Sequence, residues 1–263
     1  STPSNSSAAS DVYKRQEQGR RRLFLVGSDY VFPQTANRIV RAYAKHNGMQ
    51  IVGEEYTPMG ATDFSTIVNK LKASGADAVV NTLNGDSNVA FFKEYKASGL
   101  QADSLPVISM SIAEEEVASI GSDNVKGQLT AWNYYQTLGD EENRTFVKDF
   151  KARYGHDRPT SDPMESAYTS VYLWKEMVEK AKSFAVDDVK RAADGITFDA
   201  PEGKVTVDGE NHHIYKTSYI GRIGDDRLIH TVWKSDGPIR PDPYLKAYAW
   251  AGSLQSPGSD SSK

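Results

Sequence analysis

The sequence predicts an α/β fold built on a doubly wound parallel sheet. Three observations predict it. Five short apolar runs recur along the first half of the chain, each leaving through a short loop and most leading into a helix pattern. Several of those loops are rich in Gly, Ser, Asn and Asp, which suits turns at the ends of buried strands. After residue 132 the alternation stops. Three helix patterns then follow one another, and the strands that come next are joined by turn residues.

The first unit is RLFLVGSDYVFPQTAN, starting at Arg22. Leu23, Phe24, Leu25 and Val26 read as a strand covered on both faces. Gly27, Ser28, Asp29 and Tyr30 form its exit, and Pro33 marks a helix start over residues 34–46. Asn47 and Gly48 close that helix. A second strand is expected at 49–56, then a helix at 64–74 capped by Thr62 or Asp63 and stopped by Gly75. The third strand is DAVVNTL, residues 77–83, which exits through Asn84, Gly85, Asp86 and Ser87 into a helix at 88–98. Val89, Phe92 and Tyr95 are its expected buried row. The fourth strand, 106–110, leaves through Ser111, Ile112 and Ala113 into a short helix. Its acidic start, Glu114, Glu115 and Glu116, is read as a solvated, dipole-favoured turn. The fifth strand is 126–132.

A strand order of 2-1-3-4-5 reverses between the first and third strands. The exits at 27–32 and 84–87 would then wall one crevice, the place where open α/β sheets bind ligands. Beyond it, helices are expected at 141–154, from Pro163 to about 182, and at 186–193. Strands follow at 203–207, 215–223 and 228–234. The three helices need a surface for their apolar faces. They either wrap the sheet's edge or belong to a second lobe whose sheet lies outside this chain.

With 263 residues, 38% hydrophobic and 25% charged, the chain can fold around a sizeable core. A net charge of −4 without a basic block argues against a sequence-independent nucleic-acid binder. The lack of cysteine excludes disulfides, thiolate metal sites and a cysteine nucleophile. No run approaches a membrane span, and no secretory signal is visible. Residues 1–20 are read as a disordered leader or foreign junction, and the Ser/Gly-rich end as a solvated tail.

The motifs LFLVGSDYVFPQTAN, NTLNGDSNVAFFKEY, AWNYYQ, DPMESAY, TFDAPEGKVTVDGENHH and PIRPDPY occur in order. Together they resemble the urea/short-chain-amide branch of the type I periplasmic binding proteins, most closely the substrate-binding component of urea ABC transporters. A related cytosolic amide sensor is similar but further away. The resemblance covers roughly residues 21–248. It implies two α/β lobes joined by three crossings, with ligand closed between them. One complete lobe is expected from 21–130 and 196–235. Residues 131–195 would be the hinge crossing and the trailing helices of an incomplete lobe, and 236–263 a C-terminal extension. The chain is therefore expected to be truncated on its N-terminal side, with the export signal missing.

The resemblance implies a neutral amide ligand, urea or a short-chain amide, with an ABC permease as partner and a periplasmic or cell-surface location for the intact protein. No cofactor and no metal are expected. A dry site for such a ligand must pair each N–H and carbonyl, since an unpaired buried polar group costs about 1–3 kcal/mol. Tyr30 leads the candidates, because the family's matching tyrosine hydrogen-bonds the amide; the competing role is packing at the loop base. Phe32 matches an aromatic wall position, and core packing competes equally. Asn84 can pair a carbonyl and an N–H together, and Asp86 can accept from an NH₂. Helix capping competes for both. Gly85 would allow close backbone approach. Ser111 and Ile112 are weaker candidates. Trp132, Asn133 and Tyr134 are expected to stiffen the hinge rather than line the cleft.

An enzyme ranks last. The histidines, His46, His156, His212, His213 and His230, lie off the strand-exit loops, so Ser28 and Asp29 lack a sequence-evident base. No nucleophile elbow, dinucleotide fingerprint or Walker A motif is present. His212 and His213 are expected in a hairpin, on opposite faces. The expected role is capture without turnover, with a cytosolic amide sensor as the alternative.

Overall fold

Alternation of side chains builds the core on both faces of the first strand, β1 (Arg22–Ser28). Leu23 and Leu25 pack with Ile39, Val40 and Ala44 of the helix α1 (Val31–His46). Phe24 and Val26 point the other way, into a cluster with Phe64, Ile67, Leu71 and Phe91. The computed structural model describes residues 19–254. The remaining elements of this body are β2 (Gln50–Thr57), α2 (Ser65–Ala73), β3 (Ala78–Thr82), α3 (Ser87–Ala97), β4 (Val107–Ser109), α4 (Glu114–Ile120), α5 (Ser122–Val125) and β5 (Leu129–Trp132). No helix among the described residues is long and apolar enough to cross a membrane.

The sheet has the expected order. Strands run β2-β1-β3-β4-β5 in parallel, and β9 (Tyr219–Ile223) and β10 (Ile229–Lys234) extend it antiparallel beyond β5. α1 starts earlier than Pro33 implied, with Tyr30 as an extended N-cap residue. Asp63 serves the start of α2 by accepting from the Ser65 backbone at 3.0 Å. In α3 the buried row is Phe91, Phe92 and Tyr95, with Val89 only partly covered.

Two expectations are corrected. The segment expected as one strand over 215–223 divides. Its first part is β8 (Ile214–Tyr215), its second is β9, and residues 216–218 cross between two sheets. The strand β7 (Gly203–Val207), expected inside the complete lobe, pairs instead with β6 (Thr197–Ala200) and β8 in a separate three-stranded sheet. β6 had no counterpart in the sequence reading. The helices α6 (Glu141–Tyr154), α7 (Asp162–Ala181) and α8 (Val186–Ala192) accompany this small sheet. Leu173 and Met177 of α7 pack on Val205, Val207 and Ala200. The remaining apolar surface of these helices and of the loop between α7 and α8 stays open: Val171, Trp174, Phe184 and Val186 are all more than half exposed. An aromatic groove of about 810 Å³ runs past Phe146, Phe150, Tyr168, Tyr172 and Phe198.

The expected leader lies almost wholly outside the described residues, as does most of the expected tail. Arg20, at the leader's end, donates to the Asp77 carbonyl at 2.5 Å. Residues 236–254 are built against both sheets, ending in a 3-10 turn, Ala249–Leu254.

Candidate functional site

Four strand exits are tied side by side along the carboxyl edge of the large sheet. The Ser28 hydroxyl, fully buried at the end of β1, accepts the backbone N–H of Asn84 beyond β3 at 3.1 Å. The Ser111 hydroxyl, beyond β4, donates to the Leu83 carbonyl. The Trp132 indole, at the end of β5, donates to the Ile112 carbonyl at 2.7 Å. The exits of β1 and β3 therefore meet, as the strand order requires.

Close packing beneath the first exit explains Gly27. A Cβ there would lie 2.5 Å from Thr82 Oγ1 and 2.9 Å from Pro33 Cβ. Tyr30 follows at the mouth, half-buried, its ring 6.2 Å from that of Phe32. Burial raises its phenol pKa above the ordinary value. Among the described residues its hydroxyl has no hydrogen-bond partner, which leaves it able to donate and accept. Asp29 is occupied: its carboxylate accepts from Gln34 at 2.7 Å. Phe32 also packs against the α1-side core, the competing role expected for it.

Asn84 is half-buried. Its side-chain amide donates to the Thr82 carbonyl at 3.1 Å, which turns its carbonyl oxygen outward from that bond. Asp86 stands at the N-cap position of α3 but makes no side-chain cap bond, and its carboxylate is exposed. Gly85 has φ +59°, and nothing lies within 4 Å of a Cβ built on it. The glycine is needed for that left-handed backbone. Ser111 spends its proton on Leu83 and keeps its lone pairs.

Sequence reasoning missed the buried layer below. The Asn81 amide donates to Asn88 Oδ1 and Ser109 Oγ, each at 2.9 Å. Asn81 Oδ1 accepts the Leu83 N–H at 2.9 Å, and the Asn88 amide reaches the Leu83 carbonyl at 2.9 Å. All three polar residues are inside the core, and together they fix the turn that presents Asn84. The available signal was an Asn-Thr pair inside an otherwise apolar strand.

The crossings carry a second polar network. Asn133 N donates to Asp162 Oδ2 at 3.0 Å, and its side chain donates to the Thr217 carbonyl at 2.8 Å. Buried Tyr134 hydrogen-bonds Asn143 and Thr160, each at 2.7 Å. Trp132, Asn133 and Tyr134 thus sit at the join between the sheets. Lys216, in the return crossing, lies 2.8 Å from Glu202 Oε1 and donates to Ser166 Oγ at 3.1 Å. Burial opposes its charge, but Glu202, Asp162 and Glu165 outweigh it and hold the ammonium above its ordinary value. Burial pushes all three carboxyls up, Glu202 most strongly, with Lys216 pulling the other way.

The acidic run is not a solvated turn as expected. Glu114 is fully buried, and its Oε1 accepts the Gln136 N–H at 2.8 Å. Burial pushes its pKa up to about 8, against the opposing pull of that hydrogen bond. His212 and His213 lie in the turn before β8, not in strands, and His212 has φ +58°. His230 pairs with Asp226 at 2.9 Å, on the far hairpin.

A family model described as a periplasmic binding protein domain matches residues 1–249. The Leu/Ile/Val-binding protein homolog 6 of Brucella melitensis is 27% identical over 241 residues, 88% of this chain and 60% of that protein. The solute binding protein of an ABC transporter from Rhodopseudomonas palustris HaA2, in complex with p-hydroxybenzoic acid, superposes with a TM-score of 0.81 at 22% identity. That match covers 89% of this chain and 66% of the other. A shorter match, 30% identical over 126 residues, is to the limonene hydroxylase of Geobacillus stearothermophilus and covers 48% of this chain and 23% of that protein. The chain thus spans about three-fifths of the curated relative it matches over most of its length. Its parallel sheet, its tied strand exits and the model matching residues 1–249 lead to one conclusion: the chain belongs to the periplasmic binding protein family.

Proposed function

We propose that this chain is part of the solute-binding component of an ABC importer, located in the periplasm or at the cell surface. It would hold a small neutral amide, of the urea or short-chain amide class, at the edge formed by Tyr30, Asn84 and Ser111. The solute is captured without turnover and handed to a membrane permease.

The observation that carries this reading is the Ser28–Asn84 hydrogen bond, which brings two candidate loops to one mouth. The chemistry of that mouth supports a neutral ligand. The exits 28–30, 84–86 and 111–113 carry hydroxyls, an amide and two carboxylates, and no Lys or Arg. Tyr30 can donate to a ligand carbonyl, while Asn84, Asp86 and Ser111 can accept from its N–H groups. Phe32 supplies a wall.

A second reading has its own support. The relatives' names and titles mention Leu/Ile/Val, which carry a carboxylate and an ammonium at neutral pH, and p-hydroxybenzoic acid, which is a carboxylate there. Either carboxylate would need a partner from outside the side chains of these three exits, while the exposed Asp86 could pair with an amino acid's ammonium and would repel p-hydroxybenzoate.

Titration calorimetry of this chain and of a full-length relative with urea, acetamide, formamide, leucine and p-hydroxybenzoate separates the readings. The amide reading expects heat from the amides alone in the full-length protein, and weak or no binding by this chain. Tyr30→Phe at the matching position should weaken amide binding by about tenfold, the loss of one hydrogen bond of about 1.4 kcal/mol. Heat from the carboxylates alone would overturn it.

A further inference from the structure

The segment after β10 touches both sheets. It first pairs with the return crossing, where Ile239 N donates to the Lys216 carbonyl at 2.8 Å. Arg240 then reaches the turn between β7 and β8: its Nε donates to Asp208 Oδ2 at 2.8 Å and its guanidinium to Glu210 Oε2 at 2.6 Å. The Asn211 amide donates to the Pro241 carbonyl at 3.2 Å. From there the chain runs back to α1. Leu245 and Ala251 are buried in the core on that side of the large sheet, and the Trp250 ring meets Tyr43 edge-on at 5.4 Å.

The two attachments differ in kind. The α1 end is buried and apolar, so it is held by area removed from water. The other end rests on a short backbone bridge and on two ion pairs of one guanidinium: the Arg240 side chain is 55% exposed, that of Glu210 81% and that of Asp208 4%. Arg240 keeps contact with water in both pairs, so salt screens them, the outer pair with Glu210 most. Pro241 and Pro243 stiffen the span between the two ends. Beneath it, a cavity of about 540 Å³ bounded by Trp132, Asp162, Leu173 and Lys216 leaves room for movement.

We propose that this segment is a strap with one fixed and one releasable end, and that Arg240 is the releasable pin setting the angle between the two sheets. α1 carries Tyr30 at its start, so the strap would also set how far the mouth at Tyr30 and Asn84 opens. That last step rests on the solute reading above.

The chain has no cysteine, so Lys45→Cys on α1 and Lys204→Cys on β7 can be spin-labelled uniquely. Dipolar distance measurements are then made on the full chain without any solute, at low and high salt. In the parent, high salt is expected to lengthen and broaden the distance distribution. Arg240→Gln should do so at low salt, and Glu210→Gln should do so in part, with thermal melting little changed. Distances unmoved by Arg240→Gln and by salt would overturn the strap. If Arg240→Gln does not fold, Glu210→Gln and the salt series decide, and distances unmoved in both have the same consequence. Because no solute is present, a shifted distance alongside absent amide binding would keep the strap and sink only the solute reading.

Discussion

The side chain of Ser28 accepts the main-chain N–H of Asn84 across 56 residues of sequence, at 3.1 Å. It joins the first and third strand exits where the strand order reverses. Ser28→Ala leaves that N–H without its acceptor at a half-buried position. The expected cost is about 1 kcal/mol of stability. Unfolding should be followed in guanidinium, because urea is itself a candidate ligand. Amide exchange gives the local check. The Asn84 N–H should exchange faster in the variant, while amides inside β1 keep their relative order. Unchanged exchange at Asn84 would show that the turn is held by other bonds.

Gly27→Ala tests the packing beneath the same exit. Its Cβ would sit at 2.5 Å from Thr82 Oγ1 and 2.9 Å from Pro33 Cβ, one a buried strand residue and the other a rigid ring. Neither can swing away cheaply. Overpacking of this kind costs about 1–3 kcal/mol. The α1 start should move with Pro33 and carry Tyr30 away from the β3 exit. Tyr30 ring resonances in aromatic NMR spectra should shift in the variant, and a melting temperature equal to the parent's would contradict the packing argument.

The large sheet was legible because its strands are short apolar runs with turn residues at their ends. Strand order then followed from topology alone, and with it the meeting of Ser28 and Asn84. What was not legible involved polar side chains whose partners are distant in sequence. Glu114 resembles any acid at a helix start, and only the packed Gln136 segment reveals that it is buried. Asn81 was read as one more strand residue and Asn88 resembles a cap residue, and their pairing inside the core depends on α3 lying over β3. Lys216 lay within a run of alternating residues that looked like one strand. The division of that run between two sheets depends on pairings with β7 and β5 that no local pattern encodes. Tyr30 was legible by position, as the residue at which the β1 exit enters α1.

Glu114→Gln should change the pH dependence of stability in a definite direction. Burial raises the Glu114 pKa in the folded chain to about 8, above an unfolded value near 4.5. Between those values the folded state holds a proton that the unfolded chain has released. Stability then falls as pH rises, by about 1.4 kcal/mol per pH unit for one such group. Glutamine keeps an acceptor for the Gln136 N–H and carries no titrating proton. The variant should therefore match the parent near pH 4.5 and gain on it steadily up to pH 8. Parallel stability curves for the two proteins would show that Glu114 is not held neutral.

Lys216→Met removes the ammonium from among Glu202, Glu165 and Asp162 while keeping most of the side-chain volume. Glu202 is 4% exposed, and among the described residues its Oε2 has no hydrogen-bond partner. Lys216 is what opposes the effect of burial on these carboxyls. Without it their folded-state pKa values rise further above the unfolded ones. The folded variant must then either carry uncompensated buried charge or hold protons that the unfolded chain has given up. Both penalties grow as pH rises. Breaking a buried pair from one side costs about 3–5 kcal/mol, and that range is expected at pH 8. At pH 5 the carboxyls take up protons more readily and the loss should be clearly smaller. Guanidinium unfolding at the two pH values measures both. An equal loss at pH 5 and pH 8 would assign the cost to lost packing at the crossing, not to charge.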